Sequence, residues 1–109
     1  MRQQDYTPLK MTVVDLDATS WRTVVDFFDA IRQAVGAPSW HGSSVDAFLD
    51  TMIYHDEINE LKAPYTLRIN NLRAAPPPVE TAARLLADAI RRHGGSDLGT
   101  DLHVELVIV

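Results

Sequence analysis

Asp46 and Asp50 stand four residues apart in a stretch with helical spacing, so their carboxylates project in the same direction. Like charges so placed repel by about 0.2–0.5 kcal/mol. Asp46 is compensated by the positive start of the helix. Asp50 lies a full turn deeper, where Asp is a poor helix former and gains nothing from the dipole. Counted at about 100° per residue from Val45, the pair falls near 100° and 140°, beside the apolar stripe rather than within it. Trp40 lies just upstream. Two carboxylates bordered by an aromatic ring suit a surface that meets guanidinium or ammonium groups.

Other chemistry is poorly supported. His41, His55, His93 and His103 form no HExxH pair and no close ligand set. His41, Asp46 and Asp50 could approach one divalent ion, but two carboxylates and a histidine without further ligands do not predict a metal site. Ser43, His41 and Asp46 supply the residue types of a nucleophilic triad, yet no G-x-S-x-G elbow accompanies them and Ser43 is better explained as a helix cap. Gly94-Gly95-Ser96-Asp97-Leu98-Gly99-Thr100 lacks the lysine of a phosphate loop and leads from helix to strand, the reverse order. No catalytic residue, metal or cofactor is predicted, and the chain reads as a non-enzyme.

Charge sharpens this reading. The 109 residues carry a net charge of −5. No Lys or Arg occurs from Gln33 to Leu61, while Asp46, Asp50, Asp56, Glu57 and Glu60 all do, so the remainder of the chain is neutral. A negative patch of this kind attracts a cationic partner and raises encounter rates. With no basic patch to neutralise phosphates, nucleic-acid binding is not expected. No cysteine is present, which excludes disulfides and thiolate zinc sites and fits a reducing compartment. No apolar run approaches a membrane span, and residues 1–10 form a polar lead-in without a signal-peptide core. One monomeric cytoplasmic domain is expected.

Six elements must position the acidic pair. Met11–Leu16 is short and β-branched, so a strand is predicted. Thr19 or Ser20 can cap a helix whose stripe is Trp21, Val24, Phe28, Ile31 and Val35; Gly36 stops it and Pro38 blocks continuation. Ser43 can cap the second helix, with Val45, Phe48, Leu49, Met52 and Ile53 on its core face. Residues 55–63 read as a polar connection before the alternating strand Tyr65–Asn70. Pro78 suits the first position of a helix bearing Val79, Ala82, Ala83, Leu86 and Ile90, ended by Gly94-Gly95. Leu102–Val109 is the last strand, apolar enough for cover on both faces. Strands separated by helical crossovers predict an α/β fold: a small three-stranded parallel sheet with helices packed against it.

The run Ala37-Pro38-Ser39-Trp40-His41-Gly42-Ser43-Ser44-Val45-Asp46-Ala47-Phe48-Leu49-Asp50 resembles the inhibitor loop and second helix of the barstar family, intracellular inhibitors of the secreted ribonuclease barnase. Pro64–Leu72 is similar to that family's middle strand, and the element order agrees across about residues 11–109. The resemblance implies an acidic loop–helix surface inserted into a ribonuclease active site, with Trp40, His41, Gly42, Ser44, Asp46, Leu49 and Asp50 as partner-binding residues. Asp46 and Asp50 match the two helix aspartates, Trp40 the loop aromatic, and Ser44 an asparagine cap. His41 replaces a second aromatic and Leu49 a tryptophan; the acidic contact of the last helix falls at Ala89, one place from Asp88. The alternative implied is a barstar-fold interaction module with a non-nuclease partner.

Overall fold

The computed structural model describes residues 12–38, 44–49, 52, 59–62, 64–93 and 104–109. Its strands are β1 (Thr12–Asp17), β2 (Tyr65–Asn70) and β3 (Val104–Ile108), and its helices are α1 (Val24–Val35), α2 (Val45–Leu49) and α3 (Pro77–His93). The sheet has the order β1-β2-β3, with both pairings parallel. Asp15 stands opposite Arg68, and Leu67 opposite both Val14 and Leu106. The α/β architecture with a three-stranded parallel sheet is therefore as the helix–strand alternation predicts.

Period-two alternation sorts the sheet into two faces. Tyr65, Leu67 and Ile69 of β2, with Val104 and Leu106 of β3, are buried in the core. The opposite face carries Val13, Asp15, Arg68, Glu105 and Val107, all exposed. The expectation that the last strand is covered on both faces is thus corrected. Glu105 and Val107 point away from the helices, and the near-continuous apolar run reflects β-branched strand residues rather than double burial.

α1 begins at Val24, later than its apolar spacing suggests. Thr23, not Thr19 or Ser20, is the cap: its side chain accepts from Asp26 N, and the Asp26 carboxylate accepts from Thr23 N. Ala18–Ser20 instead forms a 3₁₀ turn capped by Asp17, which accepts from Thr19 N at 3.0 Å. Trp21 is buried but precedes the helix, and Phe27, absent from the predicted stripe, is fully buried. A run of ring contacts explains this. Trp21 meets Phe27 edge-on at 5.5 Å, Phe27 meets Phe28 at 4.9 Å, and Phe28 stacks on Phe48 of α2 at 5.4 Å.

α3 starts one residue earlier than predicted. Pro77 and Pro78 both occupy its first turn, where a missing N–H leaves nothing unsatisfied, and Pro76 O accepts from Val79 N at 2.9 Å. Its predicted stripe of Val79, Ala82, Ala83, Leu86 and Ile90 is buried throughout. The proposed Gly94-Gly95 stop lies outside the described residues, as does most of the 55–63 connection. Among the described residues, no helix is long and apolar enough to cross a membrane.

Candidate functional site

The acidic stretch leaves and rejoins the scaffold at one point. α1 ends at Gly36, whose φ of 68° is left-handed, and its N–H reaches back to Gln33 O. Glu60 N then donates to Gly36 O at 3.3 Å and Leu61 N to Val35 O at 3.0 Å. Residues 35–36 and 60–61 therefore form a stem, and the acids Asp46, Asp50, Asp56, Glu57 and Glu60 lie on the chain it closes. Glycine is required twice over at this stem. A Cβ on Gly36 would stand 2.5 Å from the Glu60 Cβ as well as occupying the left-handed region. The polar spacing of residues 55–63 gave no hint of this contact; Gly36 itself was the available signal.

α2 sits within this excursion. Its cap is Ser44, not the preceding residue Ser43: the Ser44 Oγ accepts from Ala47 N at 3.1 Å, and its carbonyl accepts from Phe48 N at 3.1 Å. Asp46 thereby falls at the second helical position rather than the third. Phe48 is fully buried on Phe28, and Met52 is fully buried beyond the helix end. Val45 and Leu49 are half-buried against the same core. The buried stripe thus centres on Phe48 and Met52 instead of Val45. At about 100° per residue, Asp46 lies roughly 160° from Phe48, on the far side of the helix.

Accordingly Asp46 is exposed, and no Lys or Arg among the described residues pairs with it. The structure brings together Ser44, Asp46 and Leu49 of the predicted surface: a cap, an outward carboxylate and a half-buried apolar side chain. Trp40, His41, Gly42 and Asp50 lie outside the described residues. So do His55 and His103, as does the side chain of His93. On α3, Ala89 is buried, and Asp88 accepts from Arg91 and Arg92 of its own helix.

Elsewhere among the described residues, carboxylates are engaged internally. Asp15 receives both Arg68 Nε at 2.6 Å and Arg68 Nη2 at 3.0 Å, with Asn70 Nδ2 at 3.1 Å. The Arg68 guanidinium, then the Asn70 amide, hold its carboxyl below the ordinary range. The Thr19 hydroxyl, the Asn71 amide and the Thr19 N–H lower Asp17 to about 2. Asp26 is lowered by the Arg22 and Thr23 N–H groups. Asp46 is set apart from these three by facing outward without such a cage. Among the described residues, no group of three or more potential metal ligands is assembled.

Comparison with individual curated proteins gives no match. The family model described as Barstar (barnase inhibitor), however, matches residues 11–107. That span runs from the start of the sheet through α3 into its last strand, and with the parallel β1-β2-β3 order it identifies this chain as a member of the barstar family.

Proposed function

We propose that this chain inhibits a ribonuclease by presenting the loop before α2, and α2 itself, to the enzyme's cationic active site. Family membership supplies the class of activity, and the outward Asp46 carboxylate on a helix pinned from behind by Phe48 is the observation that carries the binding mode. Asp50 is the central ion-pairing group, four residues on from Asp46 by sequence, and Trp40 is the apolar anchor. His41, Gly42, Ser44 and Leu49 complete the contact surface.

Physically, the carboxylates take the place that substrate phosphates would occupy among the enzyme's bases. The acidic excursion speeds approach, and the desolvated pairs slow departure; the barnase–barstar pair is itself a source of that generalisation. Because the remainder of the chain is electrically neutral, the attraction is directed at one region.

The test is inhibition of RNA cleavage by barnase and by a panel of secreted basic ribonucleases, titrated with the purified chain. Inhibition of at least one enzyme that weakens in Asp50→Ala and Asp46→Ala supports the reading. Absence of inhibition across the panel at micromolar chain, or variants equal to the parent, overturns it.

A further inference from the structure

β1 is an edge strand, and its backbone shows which groups face outward. Thr12 N donates to the carbonyl of Pro64, the residue just before β2, and the parallel register pairs Thr12 with Tyr65 and Val14 with Leu67. Thr12, Val14 and Leu16 therefore direct their N–H and C=O groups to β2, and Val13, Asp15 and Asp17 direct theirs to the open edge. Among the described residues nothing pairs with that edge.

Beside the edge runs a groove of about 370 Å³ between β1 and α1. Its apolar lining is Val14, Leu16, Trp21, Ala30 and Ala34. Ala30 and Ala34 are one helical turn apart, and their small side chains leave room above the half-buried Val14 and Leu16. Asp15 and Asp17 of β1 also border it, and among the described residues no base does. None of these residues belongs to α2, so the surface is separate from the acidic excursion.

We propose that this edge and groove take up an extended peptide as a fourth strand, one whose side chains alternate apolar and cationic. Main-chain pairing with Val13, Asp15 and Asp17 supplies the attachment. The peptide's apolar residues stand beside Val14 and Leu16 and enter the groove, and its cationic residues stand beside Asp15 and Asp17 on the other face. Asp15 already shares its charge with Arg68, whereas Asp17 accepts from the neutral Thr19 and Asn71 groups, which leave its charge uncompensated, so the Asp17 position sets the stronger demand for a cation. Charge also decides against a second copy of the chain. Pairing β1 with its own copy would bring the Asp15 and Asp17 carboxylates of two edges together, which disfavours the pairing.

A blocked heptapeptide of alternating lysine and valine, titrated into the ¹⁵N-labelled chain, tests this. Amide shifts are expected at Val13, Asp15 and Asp17. Methylating every second peptide nitrogen should abolish binding in one phase and spare it in the other. Replacing lysine by glutamate should weaken binding about three- to tenfold or more, as loss of two cross-strand charge pairs dictates. Ala34→Lys, at the half-buried wall of the groove, should block peptide binding while the dispersion of its spectrum stays that of the folded parent. No shift at the three edge amides at millimolar peptide overturns the proposal. So does equal binding of the glutamate peptide, insensitivity to both methylation phases, or concentration-dependent pairing of the free chain through β1.

Discussion

Substituting Gly36 by alanine tests whether the stem under the acidic excursion is as tight as its geometry states. Two costs are expected. An alanine at φ 68° pays about 1–2 kcal/mol for the left-handed region. Its Cβ would also lie 2.5 Å from the Glu60 Cβ, and Glu60 cannot simply withdraw, because its N–H is bonded to Gly36 O and the next N–H to Val35 O. Relieving such an overlap costs about a further 1–3 kcal/mol. The sum, about 2–5 kcal/mol, is a large fraction of a small domain's stability yet leaves it foldable. Urea midpoints of a double-mutant cycle separate the terms. In a Glu60→Gly background the Cβ collision is gone, and the Gly36→Ala penalty should fall to the backbone cost alone. In a Glu60→Ala background only the Cγ and Oε1 contacts, at 2.9 and 3.0 Å, are removed, and most of the penalty should remain. Equal penalties in all three backgrounds would refute the stem geometry.

Truncating Phe48 to alanine removes a fully buried ring stacked on Phe28 and should destabilise the fold by about 3–5 kcal/mol, read from the same urea midpoints. Ser44→Ala removes the oxygen that accepts from Ala47 N and should cost about 1 kcal/mol, with Ser44→Asp restoring most of it. Asp17 has a folded pKa of about 2, below its ordinary 3.8, so its contribution is complete above the unfolded value and fades as pH falls from about 4 to 2. The deficit of Asp17→Asn relative to the parent should therefore be widest near neutrality and close across that window in urea titrations. Rapid-mixing association with an inhibited ribonuclease should be slower for Asp46→Ala at low salt, and the gap to the parent should narrow as salt rises.

Periodicity made the scaffold legible. The α3 stripe is legible to the residue because a 17-residue helix repeats its signal over several turns. α1 is legible in phase but not in extent: Phe28, Ile31 and Val35 are buried as the stripe predicts, yet Thr23 and Asp26 form a reciprocal cap that starts the helix after Trp21. Local hydrogen bonding decided that boundary, and apolar spacing cannot weigh it. β3 shows the converse failure. Its valines signal a strand, but the same residue type serves an exposed face at Val107 and a core face at Val104. For the candidate site, the charge pattern and the Pro38-to-Asp50 motif pointed to the acidic stretch, and of its two helix aspartates the described residues include Asp46, exposed on α2. What closes that surface, the approach of Glu60 to Gly36, joins positions far apart in sequence and leaves no periodic trace.

The stem gives the candidate site its physical character. A charged loop binds tightly only if little of its freedom is lost on association, since each immobilised side chain and each ordered residue costs free energy. Here the acidic stretch is closed at its base by two backbone hydrogen bonds and held in its middle by Phe48 on Phe28. These constraints are met on folding, before any partner arrives. Asp46 is then displayed on a helix that is already fixed, in contrast to Asp15, Asp17 and Asp26, whose carboxylates accept hydrogen bonds within the chain. Acidity alone therefore does not mark the surface. The distinction lies between carboxylates hydrogen-bonded into the scaffold and a carboxylate that the scaffold holds outward without such partners among the described residues.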